Sequence, residues 1–205
     1  MPKDKTQMHE KIIKAATDEF LEYGFENASM RRIAAEVGLT VGALYRHFAS
    51  KEDMFSALVS PTVDELIETY REFCERGYEV MKCGDVRRLW NDSESETKWL
   101  MSFVYDHFNE FRLLICCSQG TKYESFLHDM AEMEERTTLD YFERMKQYGM
   151  TVNELSKKEF HMLVTANVSA LFEAVIHGFE REEAMHYAQT LDAFFSAGWK
   201  KILGV

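Results

Sequence analysis

The sequence predicts an all-α protein, on three observations. Only two prolines and ten glycines punctuate 205 residues, and strand-rich folds need more turns than that. Apolar residues recur at helical spacing almost throughout. The glycines and small polar residues fall where helices stop and start. The same signals divide the chain into a three-helix, helix-turn-helix unit over residues 1–50 and a longer helical domain over 51–205.

The elements follow in order. From Thr6 to Tyr23, Ile12, Ile13, Ala16 and Phe20 share one face. Gly24 ends that helix, with Phe25 placed to fold back on its last turn. Ser29 is an N-cap, followed by Met30, Ile33, Ala34 and Val37 at helical spacing, and Gly38 stops the run. Thr40 caps the next helix after one intervening residue, and Leu39 and Leu44 stand at hydrophobic-staple positions. Each helix of this pair is expected to have about eight residues, too few to bury its own apolar face. They therefore pack on Ile12 and Phe20. Ser50 with Asp53 opens a fourth helix that runs to Gly77, and Pro61 is expected to break or kink it as a hinge. Tyr78 to Asp92 is the least regular stretch. Ser93–Glu96, Thr121–Glu124 and Ser156–Glu159 read as capping boxes, opening helices over 94–117, 122–148 and 157–178, the first broken near Asn109. A last helix spans 182–203.

Glycine-38, leucine and Thr40 join the helix pair as in a helix-turn-helix. With Leu44 and Phe48 turned inward, the second helix leaves Thr40, Val41, Gly42, Ala43, Tyr45, Arg46 and His47 toward the open side. Its first turn is slim enough to enter a major groove. Thr40 heads a helix N-terminus suited to phosphate. Tyr45, His47 and Lys51 are donors for backbone oxygens. Arg46 suits phosphate or guanine, and Val41 and Ala43 suit a thymine methyl. Ser29 completes this candidate DNA-binding set.

Residues 29–55 resemble the DNA-binding signature of TetR-family regulators. Ile33, Ala34, Gly38, Thr40, Gly42, Leu44, Tyr45, His47, Phe48, Ser50, Lys51 and Glu52 fill its positions. Leu39 stands where valine is usual, and Val41 where lysine is frequent. That loss is expected to weaken the salt-sensitive part of DNA binding. The resemblance implies a homodimeric DNA-binding transcription regulator, a repressor released by ligand. It implies that the last two long helices dimerise and that the C-terminal helical domain binds the ligand. The implied partners are double-stranded operator DNA and a small, mostly apolar inducer.

The apolar stripes of the last two helices are wider than one packing face requires. Phe160, Val164, Val168, Leu171, Val175, Leu191, Phe195, Gly198, Trp199 and Ile202 are the expected dimer contacts. Trp99, Phe103, His107, Phe126, Met130, Tyr141 and Phe172 are the candidate ligand-pocket residues. The competing reading is a small-molecule-binding protein with a vestigial DNA head. The filled positions Tyr45, His47 and Lys51 weigh against it.

Charge is divided unevenly. The net charge is −11, but residues 1–60 carry 8 Lys/Arg against 9 Asp/Glu. The acidity therefore lies in the remainder, away from the candidate DNA face. Cys74, Cys83, Cys116 and Cys117 lack ligand spacing and are expected to be reduced core thiols, with a redox role at the adjacent pair the weaker alternative. The histidines show no HExxH or i, i+4 pair, so neither metal nor cofactor is expected. Nor is there a P-loop, a GxSxG or a dinucleotide fingerprint, so the chain is not expected to be an enzyme. A polar N-terminus and the lack of any uninterrupted apolar run of spanning length lead to the expectation of a cytoplasmic protein without membrane contact.

Overall fold

The computed structural model describes residues 2–82, 86–149 and 153–204, without the side chains of residues 2–5, 81 and 86–95. Among these residues there are nine helices and no strand: α1 Pro2–Asn27, α2 Met30–Glu36, α3 Val41–Leu44, α4 Lys51–Lys82, α5 Val86–Asp106, α6 Phe108–Cys116, α7 Phe126–Gln147, α8 Lys157–Ile176 and α9 Arg181–Leu203. They form two compact units. The first comprises residues 1–65 and 107–124, the second 66–106 and 125–205. The division thus does not fall at residue 50. The start of α4 and all of α6 belong with the helix-turn-helix, because their apolar residues complete its core.

In the first unit Ile12, Ala16, Phe20, Leu44 and Phe55 are fully buried. Phe55, from α4, meets Phe20 edge-on at 5.2 Å and Phe25 at 5.5 Å between ring centroids. The turn at Gly24 is as expected: its φ of 69° kinks α1, and Phe25 packs back onto Phe20 at 6.0 Å. α2 ends in a Schellman motif. Leu39 N–H donates to Ala34 O at 2.8 Å and Gly38 N–H to Ala35 O at 3.1 Å, with Gly38 at φ 70°. The sequence gives no hint of the clamp across this unit. Glu19, only 9% exposed, accepts from the backbone N–H of Ser29 at 2.7 Å and from the Arg32 guanidinium. Arg32 also donates to Asn27 O and lies over the Tyr23 ring.

Pro61 does not break α4, which is continuous from Lys51 to Lys82. Pro61 is exposed, so water can serve the carbonyl left without its N–H partner. Two expected helix starts are absent. α5 already runs through position 93, whose side chain lies outside the described residues. Thr121 forms a turn instead of a cap, donating to Ser118 O and accepting from Tyr123 N–H, and α7 begins at Phe126. The capping box at Ser156 and Glu159 is present, and a second one, Glu180 with Glu183, opens α9.

In the second unit α5 lies along α9, and α7 along α8. Tyr105 donates to Phe179 O at 2.8 Å, and Arg181 ties to Asp106 at 2.6 Å and Ser102 at 2.8 Å. α8 is the one described helix whose length and composition match a membrane span. Its apolar residues Phe160, Val164, Val168, Phe172 and Val175 are buried in the unit's own core. Cys74 is half-buried, Cys117 buried and Cys116 exposed, so Cys116 is not a core thiol, and Cys83 lies outside the described residues. Burial raises the Cys117 thiol pKa and pushes Cys74 up to about 11, which disfavours the reactive thiolate at both.

Gly77 has a specific reason to sit inside α4. A Cβ there would collide with the hydroxyl of Tyr141, which donates to Cys74 O at 2.9 Å. Gly77→Ala should therefore destabilise the protein by about 1–2 kcal/mol through overpacking, despite alanine's better helix propensity. Urea denaturation of the double variant with Tyr141→Phe should recover part of that loss; additive effects would show that the two positions do not couple. In the first unit, Glu19→Ala should cost about 2 kcal/mol by removing charged hydrogen bonds, while exposed Arg31→Ala leaves the urea midpoint in place.

Candidate nucleic-acid interface and cavity

The candidate reading surface is built from the turn upward. Thr40 caps α3 by accepting from Ala43 N–H at 3.2 Å. α3 has four residues, not eight; the chain then closes in tighter turns, with His47 N–H donating to Leu44 O at 2.9 Å. Beneath it Leu44 is fully buried and Phe48 stacks on His9 at 5.9 Å. Above it Gly42, Tyr45, Arg46 and His47 are exposed, and Val41 and Ala43 half-buried. Among the described residues, the side chains of Tyr45, Arg46 and His47 make no hydrogen bond or ion pair within the chain. Gly42 has helical geometry and open space around it. Nothing inside the fold demands a glycine there.

Two expected members of the set have internal duties. Ser29 caps α2 by position, but its hydroxyl makes no cap bond and its N–H goes to Glu19. Lys51 donates to Glu26 O at 3.1 Å and Ala28 O at 3.2 Å, with its ammonium 4.6 Å above the Phe25 ring. α1 ends at Asn27, so the carbonyls of Glu26 and Ala28 have no helix continuing past them to supply partners, and a cation suits them. Two of the three ammonium donors are thereby used.

The second unit holds a cavity of about 1180 Å³ between the later part of α4 and helices α5, α7, α8 and α9. Of the seven expected pocket residues, the cavity gathers only Tyr141. Trp99 and Phe103 stack on each other at 5.2 Å, and Trp99 meets Phe73 at 5.0 Å. Phe126 and Phe172 pair at 5.9 Å in the core. Met130 is half-buried on α7 without reaching the lining, and His107 belongs to the first unit, where it caps α6 3.9 Å from Glu65. The wall instead uses Phe73, Tyr78, Phe142, Leu171, Leu191, Phe195 and Trp199.

Four of those residues were expected at a dimer seam. Phe160, Val164, Val168, Val175 and Leu191 are likewise unavailable, each at most 9% exposed within the chain itself. Gly198 is half-buried, and only Ile202 of the set is exposed. What α8 and α9 turn outward is a different stripe: Met162, Ala166 and Ile176 on one, Ala193, Phe194 and Ala197 on the other. Phe194 is 71% and Met162 67% exposed. Glu173 pairs with His177 on its own helix at 3.1 Å.

Comparison with known proteins agrees with this architecture. Residues 12–58 match the family described as bacterial regulatory proteins, tetR family. An HTH-type transcriptional regulator of Staphylococcus aureus is 36% identical over 123 residues, covering 58% of each chain. Another from that species is 36% identical over 85 residues, 40% of this chain and 46% of its own. The chain thus spans about half the length of the curated relatives it matches. A TetR-like transcriptional regulator from Rhodococcus sp. RHA1 shares the fold over 93% of this chain and 96% of its own, with a TM-score of 0.59 and 20% identity. PfmR, a TetR-family regulator of Thermus thermophilus, does so over 91% and 97%, with a TM-score of 0.57 and 18% identity. Residues 12–58, set on a buried scaffold, thus match the tetR-family DNA-binding region, and the helical fold of the chain as a whole is shared with solved TetR-family regulators.

Proposed function

We propose that the protein is a homodimeric DNA-binding transcription regulator, a repressor released when a small molecule enters the cavity of the second unit. The observation that carries this reading is the exposed face Gly42–His47, whose polar side chains have no task inside the chain while the residues under them are locked in the core. The identity with HTH-type regulators of Staphylococcus aureus supports it. Thr40, Val41, Gly42, Ala43, Tyr45, Arg46 and His47 form the proposed contact set. Ser29 and Lys51 are secondary, since their backbone and ammonium groups serve the fold first. The rival reading, a ligand-binding protein with a vestigial head, gains no specific observation.

Dimerisation would supply the second reading head that a two-half-site operator needs. The outward stripe of Met162, Phe194 and their alanine neighbours supports this. Small residues permit close helix approach, and large exposed apolar side chains are costly to leave in water.

Fluorescence anisotropy on DNA from upstream of the protein's own gene, against a scrambled fragment, tests the DNA reading. Binding should prefer the upstream fragment and fall steeply with salt. Arg46→Ala should weaken it about tenfold if Arg46 reads guanine, or lower the salt slope by about 1 if it meets phosphate. Wild-type affinity at every salt would remove Arg46 from the interface, and no fragment preference, in random-site selection as well, would sink the regulator reading. Separately, Phe194→Glu with Met162→Glu should shift sedimentation from dimer to monomer without unfolding the chain; an unmoved dimer would place the seam elsewhere.

A further inference from the structure

The charges on the cavity wall point to the chemistry of its occupant, an inference that rests on the ligand-sensing part of the function proposed above. Carboxylates outnumber cations there, and the cations are already engaged. Lys82 pairs with Glu79, and Arg144 with Asp140 at 2.9 Å while lying 4.1 Å over the Tyr78 ring. Arg76 lies 4.3 Å over Phe73. Two carboxylates on the wall are served differently. Glu134, half-buried on α7, accepts from the Tyr70 hydroxyl at 2.6 Å and the Thr138 hydroxyl at 3.3 Å. Asp192, half-buried on α9, accepts from Thr97 and Ser196, both at 3.4 Å. Every one of these partners is a neutral hydroxyl. Among the described residues no lysine or arginine pairs with either carboxylate.

A carboxylate drawn partly out of water and held only by hydroxyls has no counter-ion to offset the desolvation cost of its charged form. A bound cation would offset that cost. The local field has the matching sign: burial raises the Tyr70 hydroxyl pKa, and the negative charge of Glu134 raises it further, so this phenol remains a donor. Around these charges the wall is aromatic. Tyr78 and Tyr141 sit 4.8 Å apart between centroids, and Trp199 lines the same space. Aromatic faces attract cations and accept flat apolar bodies. A neutral apolar ligand would leave both carboxylates uncompensated, and an anion would be repelled.

We propose that this cavity takes an organic cation with a flat, apolar body, its charge balanced by Glu134 with Asp192 as the second carboxylate, and its rings packed on Tyr78, Tyr141 and Trp199. The class is that of arylammonium, amidinium and pyridinium compounds.

The test uses the full chain and three probes of nearly one shape: N-methyl-phenylpyridinium, its neutral isostere methylbiphenyl, and biphenyl carboxylate. Binding is read by tryptophan fluorescence and calorimetry without DNA. The cation should bind at least about tenfold more tightly than the isostere, and the anion most weakly. Glu134→Gln should cost the cation about tenfold and the isostere less than about twofold. Asp192→Asn provides a second variant should the first fail to fold, as judged by circular dichroism. Equal or tighter binding of methylbiphenyl, preference for the carboxylate, binding of none of the three, or folded variants that both hold the cation as the wild type does would each overturn the proposal. Operator binding is measured apart from this. Charge-selective binding without DNA binding would sink the regulator reading and keep this site, and DNA binding without charge selectivity would do the reverse.

Discussion

A four-residue helix cannot hold its own shape in water, because nucleating a turn fixes more backbone than one hydrogen bond repays. Everything displayed on Thr40–His47 therefore depends on what lies below and before it. Leu44 and Phe48 anchor the segment from beneath, and the Schellman motif at Gly38 fixes the angle at which the chain enters it. Glu19 fixes the preceding helix by taking both its cap N–H and its Arg32 side chain. The same logic explains why the start of α4 belongs to this unit. Phe55 packs edge-on against the stacked rings of Phe20 and Phe25, and Lys51 satisfies the carbonyls of Glu26 and Ala28 where α1 ends. Precision on the surface is obtained from burial, not from the helix itself.

The second unit distributes its apolar residues among three tasks. On α8 one face packs into the core through Phe160, Val164, Val168 and Phe172, while Met162 and Ala166 remain outside. On α9 the inward face is split again, with Ala184 and Ala188 in close helix contact and Leu191, Phe195 and Trp199 on the cavity. Small residues close the packing at one end of the helix and large ones hold it open at the other. α9 thus contributes to core packing at one end and to the cavity wall at the other. The Gly77–Tyr141 contact shows the same economy, since removing one side chain lets a ring approach the α4 backbone.

What was legible in the sequence follows from the range of each interaction. Gly38, Thr40, Ser50 and Ser156 were readable because caps and turns are settled within about four residues. The exposure of Tyr45, Arg46 and His47 was readable for the same reason, once Leu44 and Phe48 were recognised as the inner edge. The faces of α8 and α9 were not. Periodicity reveals that a stripe is wide, but not whether a residue on it meets its own core, a cavity or solvent. Phe160 and Phe194 look alike in sequence, yet one is buried and the other is 71% exposed. Glu19 was illegible for a related reason: nothing local marks a glutamate on a charged helix as the one whose partners lie 10 and 13 residues away. Thr121 misled because a hydroxyl three residues before a glutamate also suits a turn.

The open surroundings of Gly42, and the lack of internal partners for Tyr45, Arg46 and His47, bear on how such a protein changes over time. Substitutions at these positions disturb no packing and orphan no buried group, so their cost to folding is small. Under the proposed function, selection on them is then set almost wholly by the DNA outside the chain. Leu44, Phe48 and Glu19 stand under the opposite regime, tied to the fold whatever sequence is read. A lineage built this way can drift from one target to another by altering a handful of exposed side chains, without first acquiring spare stability.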